Sequence, residues 1–284
     1  MKVTLEIPDN CAGRFQEVAQ ARGLTVEEWL VELGDRHASA PPTCPPPDHR
    51  VTSVAELSKL IESKFKNDKG TTVLYRGHGA ASFKLIPKVG RLRPPKKSAR
   101  KDVNEALMLD LFRNQVADRQ DVPAVNDWEL LAIAQHHGMP TRLLDWTRNP
   151  LVALYFSVCK ECETRDPDGH PLCEDAEVLA WRTGKVNLGN ALPKWGPLKT
   201  ASTIRYIPRI VTPRLRAQSG LFTVHAYPSR VFEPDRGLMR IRVPFENRRD
   251  LKRSLYRHGI HEAAMFPDLD GLARHIEWLQ TDIY

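Results

Sequence analysis

Apolar residues along this chain change their spacing several times, and each change marks an element. VTLEIPD (3–9) alternates Val3, Leu5 and Ile7 with Thr4 and Glu6, the period-two pattern of a short strand. A helical stretch follows with Phe15, Val18 and Ala19 on one face and Gly23 as its stop. TVEE then opens a second helix as a capping box, in which Glu28 reaches back to the Thr25 amide. From Val51, VTSVAELSKLIESKFKN spaces Leu57, Leu60, Ile61 and Phe65 for one buried helix face, and TTVLYRGH reads as a strand. NEALMLDLFRNQVAD and DWELLAIAQHHG read as helices, the second ending at Gly138. MPTRLL reads as a turn, and Pro150 opens an apolar helix, LVALYFSVCKE. AEVLAWR, GLFTVHA and GLMRIRVP read as strands, RRDLKRSLYRHG and LDGLARHIEWLQTD as closing helices. Helices first and strands mainly later predict an α+β fold.

Punctuation divides the chain. The prolines of ASAPPTCPPPDHR neither continue a helix nor donate to a sheet, so this stretch reads as a stiff linker. The organisation predicted is a small unit over residues 1–38, a Pro-rich linker over 39–50 and a large domain over 51–284.

With 41% hydrophobic and 27% charged residues, the 284-residue chain has a globular composition. No apolar run approaches the ~20 residues of a membrane span and the N-terminus lacks signal-peptide character, so a cytoplasmic protein is expected. The five cysteines read as free thiols of a reducing compartment. Cys159 and Cys162, followed by His170 and Cys173, have part of a zinc spacing, but with a single CxxC no metal is predicted. A net charge of +7 favours an anionic partner, and much of the excess sits in RLRPPKKSARK (91–101) and RYIPRIVTPRLR (205–216). Each cluster reads either as a nucleic-acid contact or as a solvated face.

Candidate chemistry gathers at four motifs. YRGH places Arg76 and His78 at the end of a strand, where an arginine suits a phosphate or bridges a structural carboxylate, and Gly77 would let a ligand approach the backbone. QHHGMPTRLLDWTRNP holds no nucleophile elbow, phosphate loop or HExxH; it offers His136 and His137 at a helix end, then Asp145, Trp146 and Thr147. Asp145 and Thr147 suit capping of the Pro150 helix, and Trp146 is either core or a platform for a planar ligand. QSGLFTVH puts Gln218 before a strand, suited to amide recognition or turn pairing. HEAAMFPDLDGLARHI carries Glu262 at the edge of an apolar run, with Asp270 the expected cap of the last helix.

Strand, helix, turn and helix over residues 1–38 resemble the ribbon-helix-helix family. The resemblance implies a homodimer through paired ribbons, and either DNA contact by the outward Lys2, Thr4 and Glu6 or dimerisation alone. YRGH, QHHGMPTRLLDWTRNPLVALYFS, QSGLFTVH and HEAAMFPDLDGLARHI, in that order, resemble the FRG domain, a bacterial and phage domain named for its Phe/Tyr-Arg-Gly motif. Its layout in turn resembles the ADP-ribosyltransferase superfamily: a first-strand arginine, a polar element leading into a helix, and a late-strand glutamate. That likeness implies an ADP-ribosyltransferase-like fold and NAD as substrate, with a role as a toxin or antiphage effector paired with an antitoxin. Arg76, Glu262 and Thr147 would be catalytic, and Arg76, His78, His136, Asp145, Trp146, Thr147, Tyr155 and Gln218 would bind NAD. DWT stands where that superfamily has Ser-Thr-Ser. The alternative function is a non-catalytic regulator that binds DNA through residues 1–38 and a nucleotide or RNA through its basic loops.

Overall fold

The computed structural model describes residues 16, 19–20, 24–29, 46–66, 72–94, 103–116, 126–160, 174–183, 192, 194–209, 212–234 and 237–283. The chain forms two compact units, Met1–Pro45 and Pro46–Tyr284. In the first, the capping box is present: the Thr25 amide donates to Glu28 Oε2 at 2.9 Å and the Glu28 amide donates to Thr25 Oγ1 at 3.2 Å. The expected ribbon, with Lys2, Thr4 and Glu6, lies outside the described residues.

The second unit is built on a seven-stranded sheet: β1 (His49–Arg50), β2 (Thr72–His78), β3 (Leu143–Thr147), β4 (Ala176–Thr183), β5 (Ile204–Tyr206), β6 (Gly220–Val224) and β7 (Leu238–Val243). Their order is β1-β7-β4-β2-β3-β6-β5; β1 runs parallel to β7 and every other pair is antiparallel. The helices are α1 (Val54–Phe65), α2 (Lys88–Arg91), α3 (Glu105–Val116), α4 (Asp127–His136), α5 (Pro150–Val158), α6 (Pro213–Ala217), α7 (Arg248–Arg257), α8 (Glu262–Met265) and α9 (Leu269–Trp278). This is a mixed helix-and-sheet domain, consistent with α+β, and no described helix is long and apolar enough to cross a membrane.

Alternation along the strands sorts side chains between the two faces of the sheet. Tyr75 packs with Val152, Tyr155, Leu57, Ile241 and Leu251, so α1, α5 and α7 cover the half made by β7, β4 and β2. Leu143, Phe222 and Val224 pack with Leu109, Trp128 and Leu131 under α3 and α4. Because Tyr75 pairs with Thr147 across the strands, both helical groups lie on one face, one over each half of the sheet. Leu74, Leu144, Trp146, Leu179 and Leu221 make the opposite face with Leu85, Trp181 and Phe232.

Local chemistry sets the element ends. Ser53 caps α1 by accepting from the Glu56 amide, and Glu56 returns the bond to the Thr52 amide at 2.7 Å. Asn126 caps α4 and Asn149 caps α5, which has Pro150 in its first turn. Gly138, at a φ of 86°, takes the left-handed position after α4.

Several expectations change. Leu143–Thr147 is a strand with five partners on β6, so the turn ends before it; its short apolar run gave no periodic signal. Asp145 does not cap α5, since Asn149 does, and Asp268 rather than Asp270 caps α9, accepting from the Gly271 amide at 2.7 Å. Glu262 begins the short helix α8 instead of standing on a late strand, as the superfamily likeness implies. His49 and Arg50, expected within the linker, pair instead with Ile241 and Arg242 as β1.

Gly77 lines a cleft and also serves the packing of α5. A Cβ there would lie 2.0 Å from the Ala153 carbonyl oxygen and 2.6 Å from the Ser157 amide nitrogen, so the missing side chain admits the backbone of α5. Gly77→Ala is expected to cost roughly 1–3 kcal/mol or more, as overpacking does where backbone cannot yield. At Gly79 the nearest atom to such a Cβ is the Arg248 guanidinium at 3.7 Å, and Gly79→Ala should melt close to wild type. Thermal denaturation of the two variants checks the contrast; equal losses would contradict it.

Candidate functional site

β2 and β3 share one backbone pairing, Tyr75 with Thr147, whereas β2 pairs with β4 at seven positions. Past Tyr75 the two strands part, and Arg76 fills the divergence. Its Nη1 donates to the Asp145 carbonyl oxygen at 2.5 Å and its Nε donates to His78 Nε2 at 3.1 Å. An imidazole that accepts at Nε2 is neutral, and burial, then Arg76, hold the His78 pKa well below its ordinary value. Two anchors thus fix the plane of the guanidinium and leave its Nη2 without a protein partner among the described residues.

The parting strands and the two helical groups leave a cleft of about 430 Å³. Arg76, Lys88, Arg91, Lys160 and Arg214 line it, and Asp145 is its single carboxylate among the described residues. Phe83, Phe156 and Met139 supply apolar wall. A side pocket lies against it, sharing Gln135, Asp145, Arg214 and Gln218 and including His136. Five cations against one acid make the cleft a sink for negative charge, and its volume falls in the usual range of small-molecule sites.

Buried bonds stiffen the frame. Arg142, immediately before β3, donates from its amide and its Nε to the buried Glu105 carboxylate at 2.7 and 2.8 Å, tying the strand to α3. Beneath the cleft, the Trp146 indole donates to Thr223 Oγ1 at 2.9 Å, and that hydroxyl lies 2.8 Å from His225 Nε2. With the indole feeding its oxygen, the hydroxyl hydrogen is directed to the imidazole, which the neutral ring accepts.

Of the residues singled out from sequence, Arg76, His78, Asp145, Trp146, Thr147 and Gln218 meet at the cleft, with His136 in the side pocket. Trp146 is 2% exposed and packed on Trp181, so it is wall and core more than a stacking platform. Thr147 Oγ1 donates to the Gln218 carbonyl at 2.7 Å and accepts from the Asn149 amide at 3.0 Å, which commits it to holding the turn. Gln218 in turn donates from Nε2 to the Met265 carbonyl at 3.0 Å.

Two expected residues stand elsewhere. Tyr155 is buried in the core and does not line the cleft, because α5 turns that face onto the sheet. Its hydroxyl donates to Glu262 Oε2, and Arg274 Nε donates to Glu262 Oε1 at 2.7 Å, so both carboxylate oxygens are engaged outside the cleft lining. Burial, then Cys159 and Glu262, push the Tyr155 hydroxyl pKa upward. Burial likewise raises the Cys159 thiol to about 11, which leaves it protonated. Cys162, His170 and Cys173 lie outside the described residues, and among those described no cluster of three His, Cys, Asp or Glu side chains could hold a metal.

Sequence reasoning missed Lys88, Lys160 and Gln135. It did flag two basic clusters, each of which sends one arginine into the cleft: Arg91 from the first and Arg214 from the second. Residues 95–101 of the first cluster and 210–211 of the second lie outside the described residues.

Residues 71–166 match the family model of the FRG domain. That stretch runs from β2 past α5 and contains YRGH and QHHGMPTRLLDWTRNPLVALYFS, the two motifs that supply Arg76, Asp145 and Thr147. No curated protein and no solved structure matches the chain.

His225 gives a test of the frame. Burial, then Arg76 and Arg142, lower its pKa from 6.5 to about 4. The folded ring therefore binds fewer protons than the unfolded one, so its contribution is present above pH 6.5 and is lost as pH falls through about 4. The melting temperature should fall across this window, and His225→Gln should flatten the fall. Parallel melting curves against pH for wild type and variant would contradict the assignment.

Proposed function

We propose that the large domain binds NAD in the cleft and acts as an ADP-ribosyltransferase-like enzyme, in the manner of a toxin or antiphage effector. The convergence of five cations and one acid on a cleft of about 430 Å³ carries this reading. A dinucleotide presents a pyrophosphate, two riboses and two planar rings. The Arg76 fork, with Nη2 unengaged by protein, suits the pyrophosphate, and Lys88, Arg91, Lys160 and Arg214 add charge around it. Phe83 and Phe156 suit a ring. Bound NAD supplies an activated glycosidic bond whose nicotinamide leaves neutral. The protein's part is to fix the phosphates, exclude water and place a negative charge near the ribose.

The same charge favours a second reading, a non-catalytic regulator, because Arg91 and Arg214 sit on basic segments that extend beyond the cleft. Phosphate backbones of nucleic acid would be held by counterion release, and affinity would fall steeply with salt.

Full-length protein titrated with NAD should rise in melting temperature, since a ligand of the native state stabilises it. With a mixture of protein and nucleic-acid acceptors it should release nicotinamide. Arg76→Ala should lose both effects, the shift by at least about tenfold in apparent Kd, as expected when a charge-assisted fork is removed. Wild type that neither shifts nor releases nicotinamide, yet binds duplex DNA or RNA with a steep salt dependence, would establish the second reading instead.

A further inference from the structure

The cleft needs an acid near the ribose if it cleaves NAD, and the glutamate expected to supply it is engaged elsewhere. Glu262 spends one oxygen on the Tyr155 hydroxyl and the other on Arg274. Asp145 lines the cleft and keeps one carboxylate oxygen without a protein partner among the described residues. β3 buries Leu143, Leu144, Trp146 and Thr147, and the one residue it turns to solvent is Asp145, whose side chain is 61% exposed. That acid borders both the side pocket and the cleft that five cations line.

Its orientation is set through a relay of amide and hydroxyl. Gln135 Nε2 donates to Asp145 Oδ2 at 3.1 Å, while Gln135 Oε1 accepts from the Thr141 hydroxyl at 2.6 Å. Thr141 is wholly buried, and its oxygen also accepts from the Leu143 amide at 3.1 Å, so the hydroxyl hydrogen is committed to Gln135. An amide held at its oxygen by a donor must present its NH₂ to the carboxylate; a flip would lose both bonds. Arg76 Nη1 stands 3.8 Å from the same Oδ2, and Oδ1 has no protein partner among the described residues. With the Asp145 side chain 61% exposed, its 3.8 Å approach to Arg76 adds only about 0–1 kcal/mol to stability.

We propose that Asp145 is the catalytic carboxylate of the cleft, with Gln135 its positioning residue. This rests on the NAD reading above. Asp145 Oδ1 accepts from a hydroxyl of the nicotinamide ribose and stabilises the positive charge that develops at the anomeric carbon. The bond from that carbon to the nicotinamide nitrogen breaks, its electron pair leaving with neutral nicotinamide. A bond forms from the same carbon to an acceptor hydroxyl or to water, whose proton passes to solvent. Asp145 remains ionised and forms no covalent bond.

Nicotinamide release by the full chain, measured beside the NAD-induced melting shift, tests the assignment. Asp145→Asn should lower kcat by about 100-fold or more, the usual effect of removing a charge aimed at the transition state, while keeping the NAD shift. Gln135→Ala should lower kcat by about tenfold with KM for NAD within about twofold, since it removes orientation and not binding. Glu262→Gln should melt lower than wild type yet keep kcat within about threefold. Wild-type kcat in Asp145→Asn overturns the proposal, as does an inactive Glu262→Gln that still binds NAD. Wild type that shows neither release nor shift overturns the NAD reading, and this assignment with it.

Discussion

Where β2 leaves β3, one guanidinium substitutes for a hydrogen-bond ladder, and the architecture of the cleft depends on that substitution. A sheet normally closes its strands by backbone pairing, because unpaired amides and carbonyls are costly when buried. Here the ladder stops after Tyr75 and Thr147, and Arg76 supplies a donor to the Asp145 carbonyl. The opening this creates would fill with side chains if a bulky residue followed. Instead Gly77 lets α5 press its backbone against β2, so the neighbouring wall is fixed to the sheet within van der Waals distance. His78 then holds Arg76 from the far side as a neutral acceptor. Three consecutive residues, Arg-Gly-His, thus bridge the gap, seat the helix and orient the bridge.

Electrostatics follow from this frame. The cations reach the cleft from separate parts of the chain: Lys88 and Arg91 from α2, Lys160 just after α5, and Arg214 from α6. None is needed for the core, since the hydrophobic clusters close beneath them without their help. Lys88 donates to the Gly138 carbonyl and Arg214 lies over the Phe266 ring, so each is guided by a partner that does not cancel its charge. The Glu105–Arg142 pair behaves in the opposite way, buried and mutually satisfied, and serves to anchor the strand that carries Asp145.

Much of this was legible in the sequence wherever periodicity was strong. The helices at Val54, Glu105, Asp127, Pro150, Arg248 and Leu269 and the strands of AEVLAWR, GLFTVHA and GLMRIRVP appear close to where their patterns place them. Leu143–Thr147 was not legible, because two leucines, an acid, a tryptophan and a threonine have no clean alternation, and their extended form comes from pairing with β6. The cleft was half legible: Arg76, His78 and Asp145 come from motifs near each other in the strand order. Lys88, Lys160 and Gln135 carry no local mark, and only tertiary folding brings them in. Tyr155 and Glu262 show the converse, polar groups beside an apolar helix that bond each other outside the cleft lining.

The single pairing between β2 and β3 has a mechanical meaning. β7, β4 and β2 with their helices form one slab, β3, β6 and β5 with theirs form another, and between the neighbouring strands of the seam stand one backbone pair and the Arg76 bridge, with side-chain packing such as Trp146 on Trp181 across it. An anion gripped by Arg76 on one side of this seam and by Arg214 on the other would act as a rivet. The sheet would then be stiffest when the cleft is occupied, and force pulling the slabs apart would be resisted by the ligand itself.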